Sequence, residues 1–519
     1  MASNKKKFAL VSVYDKTGIV NLGKALIKKK YSIISTGGTA KILKKAKIPI
    51  IPIHRITGNP EAFDGRMKTI SFQIESGILF DRENKNHQKQ AHKLNVPQID
   101  VVVCNFYPFE KVLKKENLKD KELIEMIDIG GPTMVRAAAK NHNSVAVVTD
   151  TNDYQTIIGE LKRKAKLSLK TRQKLAIKAF KLTAFYDSLI HQVLSTRIED
   201  QKDLYLQLAK DRKLRYGENP HQEGYLYTIN SNDRLSLNSF EQIQGKELSF
   251  NNLLDCNVAI NNLSEIANGE AACVIIKHGN PCGAALDNSE VQSFLKAWDS
   301  DPLAAFGSII AINKKVTKKL ANLMIANNRF FEVLLAPKFT VGAKKIFSKK
   351  KNLRLLVNKN LSKPKLSHEW DFKKIRGGFL VQEPDLETIT RKDLKVVTQK
   401  KPTGSQIKEL LFAWVACRCC KSNSIVISKN MQLVGAGVGQ QDRMRCCHLA
   451  VSKAGKRAEN AVAASDAFFP FADGPEILIK AGVKAIIQPG GSINDKKIID
   501  LCNKYNIAMV FTGIRCFKH

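Results

Sequence analysis

Short apolar runs alternate with helix-spaced apolar positions through the first third of the chain. Phe8–Val13 (FALVSV) reads as a strand, and Thr17–Lys30 sets Ile19, Val20, Leu22, Leu26 and Ile27 at helical spacing. Tyr31–Ser35 reads as a second strand, followed by the turn Thr36-Gly37-Gly38-Thr39 and a helix from Ala40. Ile48–Ile53 is a weaker strand, suited to an edge because of Pro49 and Pro52, and Asp100–Cys104 is a clearer one. Strands alternating with helices predict a parallel, doubly wound sheet. Leu167–Glu199 reads as mainly helical, and the polar stretch Gln201–Lys210 as a linker. Beyond it, Cys273–Ile276 is a buried-strand run that stops at Lys277-His278, where Gly279, Asn280, Pro281 and Gly283 break the chain. A further joint is expected at Lys401–Gly404, then a strand Ile425–Ser428 and the glycine-rich Gly435–Arg443. No strict short repeat is present.

A length of 519 residues exceeds one ordinary core, so about two or three domains are expected. Hydrophobic content of 44% and charged content of 25% are globular. No apolar run is long enough for a bilayer, and the amino terminus passes from lysines straight into a strand, without a secretory pattern, so a cytoplasmic protein is expected. The net charge of +36 raises nucleic-acid binding as an alternative. The lysines are spread along the chain, however, with no RNA-binding aromatic signature and no zinc finger. A solvated basic surface with sites for anionic small molecules accounts for them better. The 11 cysteines are an odd number and suggest no structural disulfides. Cys417, Cys419, Cys420, Cys446, Cys447 and His448 are spaced C-x-C-C and C-C-H, not as the paired C-x2-C of common zinc sites, so no metal is expected.

Candidate chemistry gathers at the ends of elements. Lys277 and His278 put a cation and an imidazole at the end of a rigid strand, where ligands of open α/β sheets bind. The bland reading is a surface Lys-His pair. The turn Thr36–Thr39 is the recipe for an anion cradle, with free backbone N–H groups at a helix start. Asp64–Thr69 (DGRMKT) forms a basic turn, Tyr107 follows the strand ending at Asn105, and Asp128-Ile129-Gly130-Gly131 opens a helix carrying Arg136 and Lys140 at i and i+4. Singly these read as a solvated turn, a packed aromatic and a helix cap; together they place Lys, Tyr, Asp and Lys around one glycine-lined cradle. Arg215 and Tyr216 precede a run of turn formers.

These segments closely resemble one family, the bifunctional enzyme that joins phosphoribosylaminoimidazolecarboxamide (AICAR) formyltransferase to inosine monophosphate (IMP) cyclohydrolase. The resemblance rests on SVYDKTG, STGGTA, DGRMKT, CNFYPF, IDIGG, RAAAKNH, RYGENPHQ, GKELSFNNLLD, KHGNPCG, DPLAAFG, KSNSIV, GAGVGQQDR, SDAFFPF and IIQPGGS, in order from Ser12 nearly to the carboxyl terminus. It implies an α/β protein. Residues 1–200 would be a methylglyoxal synthase-like cyclohydrolase domain. Residues 201–519 would be a transformylase region of two cytidine-deaminase-like halves, jointed near 390–405. By resemblance His278 transfers the proton, Lys277 supports it, and Asn423 positions the formyl oxygen. Arg215, Tyr216, Asn252, Arg515 and Phe517 would hold the nucleotide, and Asp301, Phe468, Pro470 and Asp473 the folate. For ring closure Lys68, Tyr107, Asp128 and Lys140 would handle protons and charge. Ser12, Lys16, Thr36, Gly37, Gly38, Thr39, Arg66, Thr69 and Asn105, with the Gly130-Gly131 backbone, would cradle phosphate and base. The resemblance implies 10-formyltetrahydrofolate as co-substrate, no zinc, and a homodimer; a bound monovalent cation is left open.

The family's commonest pattern after the Lys-Thr pair is Leu-His-Pro leading to a triplet such as His-Gly-Gly, whereas this chain reads Ile70–Gly77 (ISFQIESG), and Tyr14 stands where Ser is usual. The alternatives are a transformylase with weak ring closure caused by that flank, and a basic nucleic-acid-binding protein. A zinc deaminase is a third, and it lacks the H-x-E with P-C-x-x-C pattern.

Overall fold

Strand β1 (Lys7–Val13) is the centre of the first sheet. It lies between β2 (Tyr31–Ser35) and β4 (Ile99–Asn105), with β3 (Ile50–Pro52) and β5 (Ala146–Val148) on the two edges, in the order β3-β2-β1-β4-β5. All pairings are parallel. The computed structural model describes residues 6–63, 66–109, 113, 119–164, 166–198, 203–229 and 231–519. Asp64 and Gly65 of the basic turn, and Gln201 and Lys202 of the polar stretch, lie outside the described residues. The chain divides into two units, Met1–Gln207 and Leu208–His519.

In the first unit, helices cover both faces of the sheet, so β4 can carry the continuous apolar run Val101–Cys104, and all of the strand but Asn105 is buried. The helices that matter for the site are α1 (Ile19–Lys28), α2 (Gly37–Lys45), α3 (Phe72–Leu79), α4 (Gly130–Lys140) and α5 (Leu169–Ile198). The predicted strands and the long α5 are found within a residue or two, and the Pro-bounded segment is an edge strand of three residues. Helix α2 starts earlier than the expected Ala40. Gly37, at φ +53°, turns the chain directly into the helix, and Thr36 supplies no side-chain cap. The first-turn N–H groups are thus left for a ligand.

The second unit opens with an antiparallel pair, β6 (Ala209–Lys213) and β7 (Tyr225–Thr228). A six-stranded mixed sheet follows, ordered β10-β9-β11-β12-β13-β8. Its strands are β8 (Glu241–Gln244), β9 (Ala271–Lys277), β10 (Asn280–Asp287), β11 (Ser308–Ile312), β12 (Phe331–Ala336) and β13 (Arg354–Val357). After a hairpin, β14 (Asp371–Ile375) and β15 (Gly378–Gln382), a second such sheet is ordered β16-β21-β20-β19-β17-β18. It comprises β16 (Lys395–Val396), β17 (Ser424–Ser428), β18 (Leu433–Val438), β19 (Val462–Ser465), β20 (Ala485–Gln488) and β21 (Ala508–Phe511).

The two sheets have one topology. Each has an edge hairpin, an antiparallel third strand, two parallel strands and an antiparallel strand on the far edge. The two related halves implied by the resemblance are therefore present. Helices α6 (Phe250–Ile266) and α8 (Gly404–Arg418) lie between the sheets and share one core, with Cys256, Ala259, Leu263, Leu410 and Trp414 in it. Lys401–Gly404 leads into α8, whose capping box is formed by Thr403 and Gln406.

The glycine-rich run Gly435–Arg443 is half strand. A Cβ at Gly437 of β18 would lie 2.0 Å from the Cys446 carbonyl oxygen of α9 (Arg443–Ala454). The first half repeats this: a Cβ at Gly283 of β10 would lie 1.9 Å from the Ala297 carbonyl oxygen of α7 (Glu290–Ser300). Each edge strand lets its helix backbone lie directly against it. Gly283→Ala is expected to destabilise the second unit by about 2–3 kcal/mol, because a backbone carbonyl cannot give way cheaply. Gly404→Ala, where a Cβ meets nothing within 4 Å, is expected to change stability by less than about 0.5 kcal/mol. Thermal unfolding of the two variants beside wild type measures the difference.

Candidate functional site

The first unit gathers its candidates at the carboxyl ends of β1, β2 and β4. Asn105, the last residue of β4, accepts from the amides of Tyr14 and Asp15 at 2.7 and 2.9 Å, and its own amide donates to the Asp15 carbonyl at 3.1 Å. It therefore shapes the loop after β1. That loop carries Lys16, whose Nζ donates to the Tyr14 carbonyl at 2.8 Å and whose side chain lies over Gly38. Ser12 pairs in register with Cys104 one step earlier. Thr39 is buried, and its hydroxyl bonds both polar groups of Val13, so it fixes α2 against β1. Thr36, Gly37 and Gly38 remain as the open rim. Tyr107 and Tyr14 stack at 5.2 Å across that rim, both about half exposed.

The start of α4 meets the same rim. A Cβ on Gly130 would lie 2.5 Å from the Thr69 hydroxyl, and one on Gly131 would lie 2.4 Å from an Asp128 carboxylate oxygen. Only glycine lets these segments close up. Asp128 accepts from the Gly131 amide at 2.9 Å, while its own amide donates to the Tyr186 hydroxyl at 2.7 Å. Burial raises the Asp128 carboxyl, and the Gly131 N–H partly offsets this. A half-buried acid with a raised pKa beside an anion cradle is suited to proton transfer. Lys68 pairs with Glu61 at 2.6 Å, and Arg66 forms an ion pair with Glu125.

The backbone of Lys140 lies at the far end of α4 from the Gly130-Gly131 start. It closes α4, whereas Asp128 precedes its start, which separates them by about 15–18 Å along the axis. Both line a groove of ≈ 690 Å³ between α3, α4 and α5, with Glu75, Arg136, Phe180 and Tyr186. Glu75 belongs to the unusual Ile70–Gly77 segment. That segment is a regular helix start, with the Ser71 hydroxyl accepting from the Ile74 amide at 3.2 Å, and Thr69 before it still reaches Gly130.

In the second unit the strand-end pair sits on the tight turn joining β9 to β10. His278 takes φ +50°, and the amides of His278 and Gly279 donate to the Asp255 carboxylate of α6 at 3.3 and 2.7 Å. Lys277 Nζ donates to the carbonyls of Phe306 and Gly307 at 2.9 and 3.2 Å, so its ammonium is anchored behind the turn. Asn280 accepts from the Lys421 amide at 3.0 Å, which brings the Lys421–Ser424 loop of the second half to the turn.

A buried pair holds that loop. Asp466 accepts from the Ser422 hydroxyl at 2.7 Å and the Ser424 amide at 3.1 Å, and forms an ion pair with buried Arg443. Arg443 in turn donates to the Asn423 side-chain oxygen at 2.8 Å, and the Asn423 amide donates to the carbonyls of Gln440 and Gln441, each at 3.0 Å. The carboxyl-terminal tail joins here: Ser422 and Lys518 exchange bonds of 3.0 Å, placing Arg515 and Phe517, which stack at 4.9 Å, beside the loop. Arg215 stacks on Tyr216 in a loop tied to α6 by Asn251, which donates to the Glu218 carbonyl at 3.2 Å.

Asn252 is buried. Its oxygen accepts from the Ser249 amide at 3.2 Å and its nitrogen donates to Glu332 at 2.9 Å, so it completes the cap of α6. Asp301 caps a short helix and pairs with Lys453 of α9 at 3.2 Å. Phe468 is exposed; the Pro470 carbonyl accepts from Asn494, and the Asp473 carboxylate accepts from Gly474. A Cβ on Gly474 would meet Cys447 of α9 at 3.3 Å, so this segment and Asp301 meet α9 about 9 Å apart along its axis.

Asp255, Arg443 and Asp466 are site residues that motif reading passed over. Each stands inside a quoted segment, as the last residue of GKELSFNNLLD, the last of GAGVGQQDR and the second of SDAFFPF. The cysteines from 417 to 447 are unpaired, and burial raises each of these thiols, which disfavours the thiolate that a metal requires. Among the described residues no three His, Cys, Asp or Glu side chains gather as a metal site, and no helix is long and apolar enough to cross a membrane.

A parallel-sheet unit with an anion cradle, joined to a duplicated mixed-sheet unit with a Lys-His turn, defines a two-site α/β enzyme. The MGS-like domain model matches residues 18–133, and the AICARFT/IMPCHase bienzyme model matches residues 138–453. The bifunctional purine biosynthesis protein PurH of Acetivibrio thermocellus is 46% identical over 516 residues, covering 99% of this chain and 100% of that one. Those of Ruminiclostridium cellulolyticum and Aquifex aeolicus are 45% and 44% identical, covering 99% and 98% of this chain and 100% of each relative. The chain belongs to the AICARFT/IMPCHase bienzyme family. It is a bifunctional enzyme of purine biosynthesis, a formyltransferase and a cyclohydrolase.

Glu75 yields a pH prediction. Burial pushes its carboxyl from 4.5 up to about 7, and among the described residues its Oε1 has no hydrogen-bond partner. The folded state therefore holds a proton that the unfolded state releases between about pH 4.5 and 7, and stability falls as pH rises through that window. Glu75→Gln removes the penalty. Its advantage over wild type is expected to grow by about 1 kcal/mol from pH 5 to pH 8, after discounting for partial exposure. A stability difference that is flat across that range, measured by chemical denaturation, contradicts it.

Proposed function

We propose that the second unit moves the formyl group of 10-formyltetrahydrofolate onto the aromatic amine of AICAR, and that the first unit closes the product to IMP. The observation that carries this reading is the His278 turn, fixed on Asp255 and facing the Asn423 loop. The amine is a poor nucleophile. As its nitrogen bonds to the formyl carbon, His278 takes its proton; the carbon–N10 bond breaks and the proton passes to the departing tetrahydrofolate. Asn423, oriented by Arg443, lies where the formyl oxygen gains charge. The anchored Lys277 ammonium adds a fixed positive field. Arg215, Tyr216, Arg515 and Phe517 hold the nucleotide, with Arg215 matched to phosphate. Asn252 acts from beneath, through the cap of α6. Phe468 and Pro470 take the folate ring, and Asp301 and Asp473 its polar edge.

Ring closure needs no second reactant. The carboxamide nitrogen attacks the new formyl carbon and water leaves, so holding one molecule in the reactive shape supplies much of the rate. Phosphate sits on the N–H groups of the Thr36–Thr39 turn, with the Gly130-Gly131 backbone closing the cradle and Lys16 and Arg66 nearby. Asp128, Tyr107 and Lys68 exchange protons at the rim, and Lys140 contributes charge along the groove. The capped helix after Thr69 favours a working cyclohydrolase despite its altered flank. The enzyme works in the cytoplasm as a homodimer, on anionic small molecules and not on nucleic acid.

The test supplies AICAR and 10-formyltetrahydrofolate to wild type, His278→Ala and Lys68→Ala, following folate release and IMP separately. His278→Ala is expected to lower folate release by about 100-fold or more, and Lys68→Ala to lower only IMP formation, by a similar factor. Wild type that releases folate but accumulates the formylated intermediate would favour the weak-cyclohydrolase reading. Wild type that does neither overturns the proposal.

A further inference from the structure

Asp255 is absent from the residues assigned to either reaction, yet it is the fixed point of the β9–β10 turn. Its carboxylate receives two consecutive backbone N–H groups, those of His278 and Gly279, from a turn with φ +50° and +75°. A left-handed conformation at a non-glycine residue needs support from outside the turn. Asp255 supplies it from the second turn of α6, a helix fixed at its start by the Ser249–Asn252 capping box. The imidazole direction is thus referred to a helix in the core between the two sheets.

The second half contains the same device without the chemistry. Glu409 of α8 accepts the Met431 amide at 3.0 Å with both carboxylate oxygens, and also the Ser428 hydroxyl, at the turn between β17 and β18. Asn430 and Met431 have φ +55° there. That turn reads Lys429-Asn430-Met431-Gln432 and carries no titratable imidazole. An acidic side chain on the crossing helix is therefore how this fold holds its edge hairpin, and in the first half the held residue is His278.

We infer that Asp255 is a positioning residue for formyl transfer, acting only through the orientation of His278; this rests on the reading of His278 as the proton-transfer group. Asp255→Asn keeps the size but loses one of the two acceptors. It is expected to lower kcat for folate release by about tenfold or more, with the KM for AICAR changed less than about twofold. IMP formation from pre-formed formylated intermediate is expected to be unchanged. In a His278→Ala background, Asp255→Asn is expected to cost less than twofold further. Asp255→Glu, which keeps both acceptors one methylene away, is expected to recover part of the loss, and it carries the test if Asp255→Asn does not fold. Glu409→Gln is the control for a purely structural role, expected to lower the melting temperature while leaving kcat within about twofold. An equal kcat loss from Glu409→Gln, an undiminished loss in the His278→Ala background, or full activity of Asp255→Asn and Asp255→Glu overturns the inference. Wild-type transfer by His278→Ala alone overturns the underlying reading of His278.

Discussion

The carboxylate of Asp255 receiving the amides of His278 and Gly279 is the contact that fixes the β9–β10 turn of the second unit. A strand that ends in a tight turn leaves its N–H groups without ladder partners. A charged acceptor on a rigid helix meets that need and fixes the turn's direction as well. The first turns of α6 carry further ties: Asn251 to the loop of Arg215 and Tyr216, and Asn252 to Glu332 of β12, which also pairs with Arg354 of β13. One helix start thus sets the relative places of the Arg215-Tyr216 loop and the His278 turn.

The duplicated topology explains why the site draws on both halves. Edge strands β10 and β18 come together, and the Leu286 amide donates to the Met431 carbonyl at 3.0 Å. The β17–β18 turn is thereby carried to the edge of the other half's sheet, and the Lys421 amide donates to Asn280 beside the His278 turn. The close helix–strand contacts at Gly283 and Gly437 hold each edge strand directly against its helix, and the shared core around Trp414 lies between the two sheets. On the Asn423 side the holding group is ionic. Asp466 and Arg443 are both buried; Asp466 accepts from the loop at Ser422 and Ser424, and Arg443 donates to Asn423 of the loop and to the Ser465 hydroxyl of β19, which is what makes a buried pair tolerable.

Much of this was legible in the sequence, for identifiable reasons. Continuous apolar runs such as VVVC and CVII mark strands covered on both faces, and the abrupt change to Lys277-His278 marks where one ends. The glycine pairs at 37–38 and 130–131 mark helix starts that must approach another group closely. What stayed hidden depends on partners distant in sequence. Asp255 and Arg443 look like ordinary polar residues until the fold brings 278 and 466 to them. The edge strand at Leu433–Val438 is masked by glycines that serve the neighbouring helix. The bonds of Asn252 to Ser249 and Glu332 are likewise invisible in the sequence, since Glu332 lies 80 residues away. Lys140 follows the Asp128 motif by one helix length, and the groove it shares with Asp128 shows only once α3, α4 and α5 are packed together.

The two reactions ask for different architectures, and the two units differ accordingly. Ring closure is unimolecular, so its site needs only to hold an anion and fold one molecule on itself. A helix start, a glycine-lined rim and a few protonatable groups suffice, and a single parallel sheet presents them all at one edge. Formyl transfer has two large partners and a proton that must leave as the bond forms. Its groups have to converge from separate directions and hold their geometry against both ligands. Two sheets that share a core, each bracing one loop with a buried or half-buried acid, meet that demand. The acidic residues are outnumbered by 84 Lys and Arg to 48 Asp and Glu, yet Asp128, Asp255, Glu409 and Asp466 all serve as backbone anchors at or beside these turns. The surplus positive charge is left largely to exposed lysines, away from the groups that hold these turns.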